Sequence, residues 1–381
     1  MAEKILNMSP ASIITTYDRP VKAAGMAGVA LLQAGDVTGL QSYHFLNEVE
    51  PDYDVDTYPY NFAERYFSND DSPLFQVITC GKNTISAPTP TNVKAVPTND
   101  GATITADVPG ANGNPADNFV AAVHKYYSAG AQFFVLPVTD DNHDIVTAVS
   151  NFIEAQDNKE LILDIPTDTE TPDLSFLSAI AGNKSTLVLS LVRYGDNAED
   201  YQLASSFLAI YANSPVGKDP EFIHDLDGVT PQDQYEFSKE VLDKYYTPYH
   251  VLTYAYRNGI PMFTSNKSQS GDQFSVMLIR DAISNEIVAN VTNLFIQNDR
   301  IPYNQVGIDL FKGQIKLVLD AYVAKGLIDP DYTINTINSD DISDNKKATG
   351  ILTGMGWKYK PVFSVDDVRF AQSIVLPTPQ A

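Results

Sequence analysis

Cysteine is almost missing from this chain: Cys80 is the single example in 381 residues. A disulfide-stapled scaffold is therefore excluded, because a lone thiol has no partner within the chain. The residue ends an apolar run, PLFQVITC, and reads as a small buried hydrophobe rather than a reactive thiol. Positive charge is also scarce. Lys and Arg number 25 against 48 Asp and Glu, a net charge of −23. Such a surface repels phosphate backbones, so no nucleic acid is expected as a partner. No window approaches the ~18 consecutive apolar residues of a membrane-spanning helix, and MAEKILNMSP lacks the long apolar core of a secretory signal. The expectation is a chain assembled in a cytoplasm, with no direct membrane insertion. Aromatics, in contrast, are plentiful. With 21 Tyr, 18 Phe and 44% hydrophobic residues, the chain buries enough surface to exclude wholesale disorder. At roughly 150 residues per domain, its length suggests two or three folding units.

Signatures of chemistry are missing as well. GMAGVA does not have the G-x-G-x-x-G spacing, and neither a phosphate-binding G-x-x-x-x-G-K-[ST] nor a G-x-S-x-G nucleophile turn occurs. The five histidines (His44, His124, His143, His224 and His250) are scattered, with none three or four residues from another, so zinc has no local ligand pair. His143 in DDNHD follows a strand and precedes a helix, which suits an N-capping loop better than a metal site. NSDDISDN (338–345) lacks the mid-loop Gly and terminal Glu of a calcium loop and reads as solvated. SQSGD (268–272) reads as a helix start capped by Ser270 or Asp272. The carboxylate pairs Asp70/Asp71 and Asp366/Asp367 sit in turn contexts and name no general acid. No catalytic residue, cofactor or metal is assigned.

What is present is a regular alternation. Helices expected at 117–128, 144–156, 173–181 and 198–212 alternate with the continuous apolar strands AQFFVLPV (131–138), ELILDIP (160–166) and STLVLSLV (185–192). Apolar strands alternating with amphipathic helices predict an α/β core with a mostly parallel sheet covered on both faces. GMAGVALLQAGD (25–36) reads as a buried strand or turn, a helix over 56–67 and a strand over 74–80 follow, and 83–115, rich in Pro, Gly and Thr, reads as a surface hairpin or linker. A helix over 231–244 and a strand near VLTYAYR follow. Two long helices, 272–298 and 304–325, are joined by the short turn RIPYN and should pack as a hairpin. The domain boundaries drawn from this are a terminal arm 1–24, core segments 25–82 and 116–245 around the 83–115 insert, a C-terminal α+β domain 246–363, and a second arm 364–381.

Both ends are strand-like. SIITTY (Ile13, Ile14, Thr15 and Tyr17 among it) stops at DRP, and VRFAQSIVL carries Val368, Phe370, Ile374 and Leu376. Such arms either return to their own sheet or join the sheet edge of a neighbour. In the second case donor and acceptor surfaces differ, and repetition gives rings or helical filaments. On the second long helix, Lys312, Lys316 and Lys325 lie on or near the face away from the apolar stripe. They form either a docking patch or a solvated face paired with Asp309 and Asp320.

The order of segments resembles the tail sheath proteins of contractile-tailed bacteriophages and related injection systems. SIITTYDRPVKAAGMAGVALLQAGD, VDTYPYNFAERYFSNDDSPLFQVITC and SPVGKDPEFIHDLDGV carry part of the resemblance. The strongest part is the Gly-led strand, SG turn, Arg280-Asp281 pair, I-P-Y turn and Gly-terminated helix within 259–328, with Ala282 where the family often has an aromatic residue. The resemblance implies a virion structural protein, not an enzyme, that polymerises as hexameric rings stacked around a tail tube and contracts to drive the tube through the host envelope. It implies exchange of the terminal strands between neighbours, Lys312, Lys316 and Lys325 as tube contacts, and baseplate and tail terminator proteins as further partners. The alternative is an α/β enzyme or small-ligand-binding protein whose terminal strands fold in cis.

Overall fold

The computed structural model of the chain describes residues 28–366 apart from 56, 69–73, 82–113, 157, 193–202, 234 and 236. Both terminal strands and nearly all of the insert lie outside the described residues.

The apolar runs become strands in the anticipated order, β1 (Gly28–Gly35), β3 (Phe75–Gly81), β4 (Ala131–Pro137), β5 (Glu160–Thr167), β6 (Thr186–Val192) and β7 (Val251–Leu252), with a further strand β2 (Gly39–Tyr43) between the first two. They form one seven-stranded sheet in the order β2-β3-β1-β4-β5-β6-β7. Every neighbouring pair is parallel except β2 on β3. The antiparallel β2 was not anticipated, because GLQSY has polar residues at its exposed edge positions and little apolar signal.

Strict alternation sends the two sides of each strand into two cores. Val29, Leu31, Phe133, Val135, Leu187 and Leu189 face one cluster, while Ala30, Leu32, Phe134, Leu136 and Val188 face the other. Helix α2 (Pro115–Tyr126), helix α3 (His143–Gln156) and a 3-10 run at Ser175–Ile180 cover the second cluster. Helices α1 (Tyr58–Tyr66) and α4 (Leu203–Tyr211) cover the first, with Tyr60, Phe62, Tyr66, Phe207 and Tyr211 facing inward. Cys80 is buried, and desolvation pushes its thiol up to about 12, so it is inert.

Local expectations fail where the backbone is needed elsewhere. The segment 173–181 winds as a tight 3-10 run after Pro172, with Asp173 Oδ1 accepting the Ser175 amide at 3.0 Å. The helix expected over 231–244 shrinks to one turn, α5 (Lys239–Val241), followed by a π-turn at Leu242–Tyr246. The reason lies at Gln232, which pairs as a strand with Ala255: its amide donates to Tyr254 O and its carbonyl accepts from Tyr256. A residue held in a ladder cannot also start a helix.

After β7 come a hairpin of β8 (Tyr254–Arg257) and β9 (Ile260–Phe263), then helices α6 (Phe274–Gln297) and α7 (Gln305–Ala324). The chain continues through β10 (Thr333–Asn335), the short α8 (Asp344–Ala348) and β11 (Gly356–Lys358). Within MGWKYKPVF (355–363) only Gly356–Lys358 form a regular strand. Neither Ser270 nor Asp272 caps α6. Gln273 occupies the cap position, and Ser270 Oγ instead donates to Asp272 Oδ2 at 2.8 Å.

Two acids of ELILDIP interrupt the otherwise apolar sheet. Alternation puts Glu160, Ile162 and Asp164 on the same side of β5, and both carboxyls are buried. Asp164 accepts from the Ala204 amide at 3.3 Å and the Tyr58 hydroxyl at 3.4 Å, tying α1 and the start of α4 to the sheet. Burial pushes the Asp164 carboxyl up to about 7, against the pull of the Ala204 amide, the Tyr58 hydroxyl and the Arg65 charge. Glu160 is held protonated well above the carboxylate range, first by desolvation and then by the facing Asp281 carboxylate. Arg280 Nε sits 2.9 Å from Asp281 Oδ1, and Gln132 Nε2 donates to Asp281 Oδ2 at 3.1 Å. A protonated Glu160 joins β5 to α6 without placing two bare charges side by side.

Because the folded Asp164 holds its proton more tightly than the unfolded chain, stability falls as pH rises from about 4 to about 7 and is level above that. The full effect is about 4 kcal/mol at most. Asp164→Asn should therefore lose less stability than the wild type between pH 4.5 and pH 7.5 in denaturant titrations. Parallel pH profiles would refute the assignment.

Candidate functional site

Strands β10 and β11 pair antiparallel, with Ile334 opposite Trp357. The pairing continues as a ribbon toward the core: Asp329 N donates to Lys360 O at 2.9 Å, Ile328 bridges Pro361, and Val362 N donates to Leu327 O at 3.0 Å. One side of the ribbon packs on the first core cluster through Tyr332, Ile334, Met355, Trp357 and Tyr359. Among the described residues β10 and β11 pair only with each other. No further strand among the described residues pairs with either outer edge, and a two-stranded ribbon gains most from an added strand. A second ribbon, β8–β9, turns at Asn258 and Gly259, both with positive φ (54° and 79°). That is the two-residue hairpin favoured by an Asn-Gly pair, a signal present in YAYRNGIPMF and passed over by propensity reading.

The helix pair forms the other prominent surface. The first ten residues of α6 are almost wholly buried, whereas its second half and α7 stand partly clear of the body. Phe295 and Phe311 meet with ring centroids 5.4 Å apart near the free end. On α7, Ile308, Ile315, Val318, Leu319 and Tyr322 turn inward. Opposite them Val306, Leu310 and Leu317 are exposed, at 62%, 37% and 61%. Their spacing of four and seven residues makes one stripe. Val288, Phe295 and Ile296 add exposed apolar area on α6. A second apolar stripe opposite the core-facing one is more exposed apolar area than an ordinary solvated helix presents.

The three lysines singled out on this helix are all exposed. Lys312 and Lys316 share one face, one turn apart. Lys325 follows Lys316 by nine residues, half a turn round the axis at 100° per residue, so the three do not form one cluster. Lys316 pairs with Asp320, and its Nζ lies 3.4 Å from the Tyr332 hydroxyl, which also bonds Asp320. Lys325 Nζ lies 4.8 Å above the Tyr322 ring. Asp309 accepts from Gln305 rather than from a lysine. Lys312 has no ionic partner among the described residues. The arm residues Ile13, Ile14, Thr15, Tyr17, Val368, Phe370, Ile374 and Leu376 lie outside the described residues.

A cavity of about 450 Å³ opens at the carboxyl ends of β4 and β5, where open α/β sheets often hold ligands. Its acids Asp140, Asp168 and Asp173 are exposed, and the His143 ring stacks on Phe176 at 3.8 Å. His143 opens α3 as its first residue. Among the described residues no group of three His, Cys, Asp or Glu side chains has metal-site geometry, and no helix is long and apolar enough to cross a membrane.

No protein-family model and no curated protein matches the sequence. Solved structures do match, over almost the full length. A chain of the anti-feeding prophage baseplate superposes with a TM-score of 0.61 at 13% identity, covering 97% of this chain and 100% of that one. A chain of the contracted helical sheath of the same particle gives 0.58 at 13% identity, covering 99% and 100%. The sheath tail protein of Desulfitobacterium hafniense gives 0.54 at 11% identity, covering 92% and 100%. The chain thus has the fold of contractile-particle sheath proteins.

The hairpin depends on one close approach. A Cβ on Gly307 would fall 1.9 Å from the Pro302 carbonyl oxygen, whereas one on Gly313 meets nothing within 4 Å. Gly307→Ala should destabilise the subunit by about 1–3 kcal/mol or more, and Gly313→Ala should stabilise it by roughly 0.5–1 kcal/mol. Urea melts of the two variants read the difference, and equal effects would contradict this turn geometry.

Proposed function

We propose that the chain is the sheath subunit of a contractile tail or injection particle, polymerising as hexameric rings stacked around a tube. The observation that carries this reading is the full-length match to a helical sheath chain at a TM-score of 0.58, with 99% and 100% coverage. The β10–β11 ribbon, which pairs with no third strand among the described residues, supports an exchange of strands within that polymer. A terminal strand of one subunit, around Ile13–Tyr17 or Val368–Leu376, adds to the ribbon of a neighbour. Five residues added to an edge make on the order of four or five backbone hydrogen bonds, each worth about 1 kcal/mol net. That gain, with apolar burial, offsets repulsion between copies that each carry a charge of −23.

Linked by exchanged strands, rigid α/β bodies shift past one another while the mesh remains whole. The extended state is then held kinetically by tube and baseplate contacts, and contraction draws on new burial between bodies without nucleotide hydrolysis. The hairpin faces the tube, with the Val306–Leu310–Leu317 stripe as the apolar contact and Lys312 and Lys316 as the cationic one. Baseplate and terminator proteins bound the polymer at its ends, in a particle assembled in the host cytoplasm. The second reading, a ligand-binding α/β protein, draws on the cavity beside His143 and predicts discrete small particles.

Electron micrographs of the purified protein separate the two readings. Tubes are expected, and deletion of 1–17 or of 366–381 should leave a folded subunit that forms none. Normal tubes from either truncation would contradict the arm proposal. Lys312→Glu with Lys316→Glu should weaken co-sedimentation with the tube protein, and undiminished binding would exclude these lysines as contacts.

A further inference from the structure

Helix α6 begins without a side-chain cap, although its cap residue, Gln273, has a polar side chain and is 5% exposed. That side chain is engaged elsewhere. Its Oε1 accepts from the Ser364 amide at 2.9 Å, and its Nε2 donates to Ser364 O at 2.9 Å and to Asp366 Oδ1 at 2.6 Å. The amide group thus pairs with the backbone of residue 364 much as a neighbouring strand would. Asp366 is gripped from two further directions. Lys267 Nζ lies 3.0 Å from Oδ2, and Asn266 Nδ2 donates to Oδ1 at 2.8 Å. Asn266, 1% exposed, uses the same Nδ2 to bond Asp219 Oδ2 at 2.9 Å, and its carbonyl accepts the Phe274 amide. Burial works against the Asp366 charge, but Lys267, Asn266 and Gln273 outweigh it and hold the carboxyl below its ordinary range.

The ribbon's last backbone bond is at Val362, and the latch follows at 364 and 366. From this geometry we propose that Gln273 is a positioning residue: it fixes the point at which the C-terminal segment leaves the subunit, at the start of α6 rather than at the ribbon's end. The inference rests on the strand-exchange reading above and adds the anchor to it. Two consequences follow from chain dimensions. The 15 residues after Asp366 reach at most about 50 Å when extended. Opening the latch frees four more residues and lengthens the leash by roughly 13 Å. Tension on the segment passes into α6 and, through Asp281, Gln132 and Glu160, into the sheet. With the latch open it would instead peel the ribbon from its end, one bond at a time.

Full-length Gln273→Ala and Gln273→Glu are the direct tests. Both should keep wild-type far-UV circular dichroism, and the Ser364 amide should exchange hydrogen at least ~10-fold faster in the dispersed subunit. Tubes should be lost or have irregular repeat spacing. Gln273→Glu places a carboxylate against Asp366, so combination with Asp366→Asn, which supplies an amide donor, should restore protection and regular spacing in large part. If a Gln273 variant fails to fold, Asp366→Ala opens the same latch from the segment's side. Wild-type exchange at Ser364, or tubes of wild-type yield and spacing from the single variants, would overturn the proposal. If the wild-type chain itself forms no tubes, the strand-exchange reading fails and the positioning role with it. Ser364 exchange would then still report whether the latch itself is closed.

Discussion

The central strands of the sheet are predominantly apolar on both sides, and the layering of the molecule follows from that. A strand such as TLVLSLV has no side that tolerates water, so helices must cover both faces, and parallel connections supply them. The second face is closed by α2, α3 and the 3-10 run, all drawn from segments between consecutive strands. The first face is too broad for α1 and α4 alone. The early turns of α6 complete it, and one hydrophobic cluster consequently runs from Val29 to Ile328.

That shared cluster explains the mixed character of α6. Its first ten residues belong to the sheet's cover, while the rest belongs to a hairpin that stands partly clear. The polar contacts across the join are few and buried. Glu160 from β5, Gln132 from β4 and Asp281 from α6 meet beneath the helix, with Arg280 as the compensating charge. A buried carboxyl facing another is tolerable only when a proton remains between them, so the join is secured by an acid rather than by an ion pair. Asp164 does the corresponding task for α1 and α4.

Under the sheath reading, assembly of so acidic a chain calls for surface where charge does not decide the outcome. Between 284 and 325, Glu286, Asp299, Asp309 and Asp320 are matched by Arg300, Lys312, Lys316 and Lys325. The hairpin is therefore locally neutral, and its outward stripe is apolar. The ribbon edges offer a different contact, made by backbone groups that are indifferent to side-chain charge. Both surfaces suit short-range association against a long-range repulsion that ionic strength screens.

Period and punctuation in the sequence were enough to place the parallel strands 131–138, 160–166 and 185–192, the helix 144–156 and the long helix pair, because continuous apolar runs and 3.6-residue stripes are local properties. The lone Cys80 was legible as buried for the same reason. The Asn258-Gly259 turn is a local signal of the same kind. Other features had no local signature. Gln232 is strand-like because Ala255 comes alongside it, Glu160 and Asp164 are proton-bearing because helices close over them, and Gln273 leaves its own helix uncapped because Ser364 lies within reach. Each of these depends on partners distant in the chain, up to 121 residues in the case of Glu160 and Asp281. Burial and hydrogen-bond partnership are decided by what packs alongside, and only the folded chain brings those neighbours together.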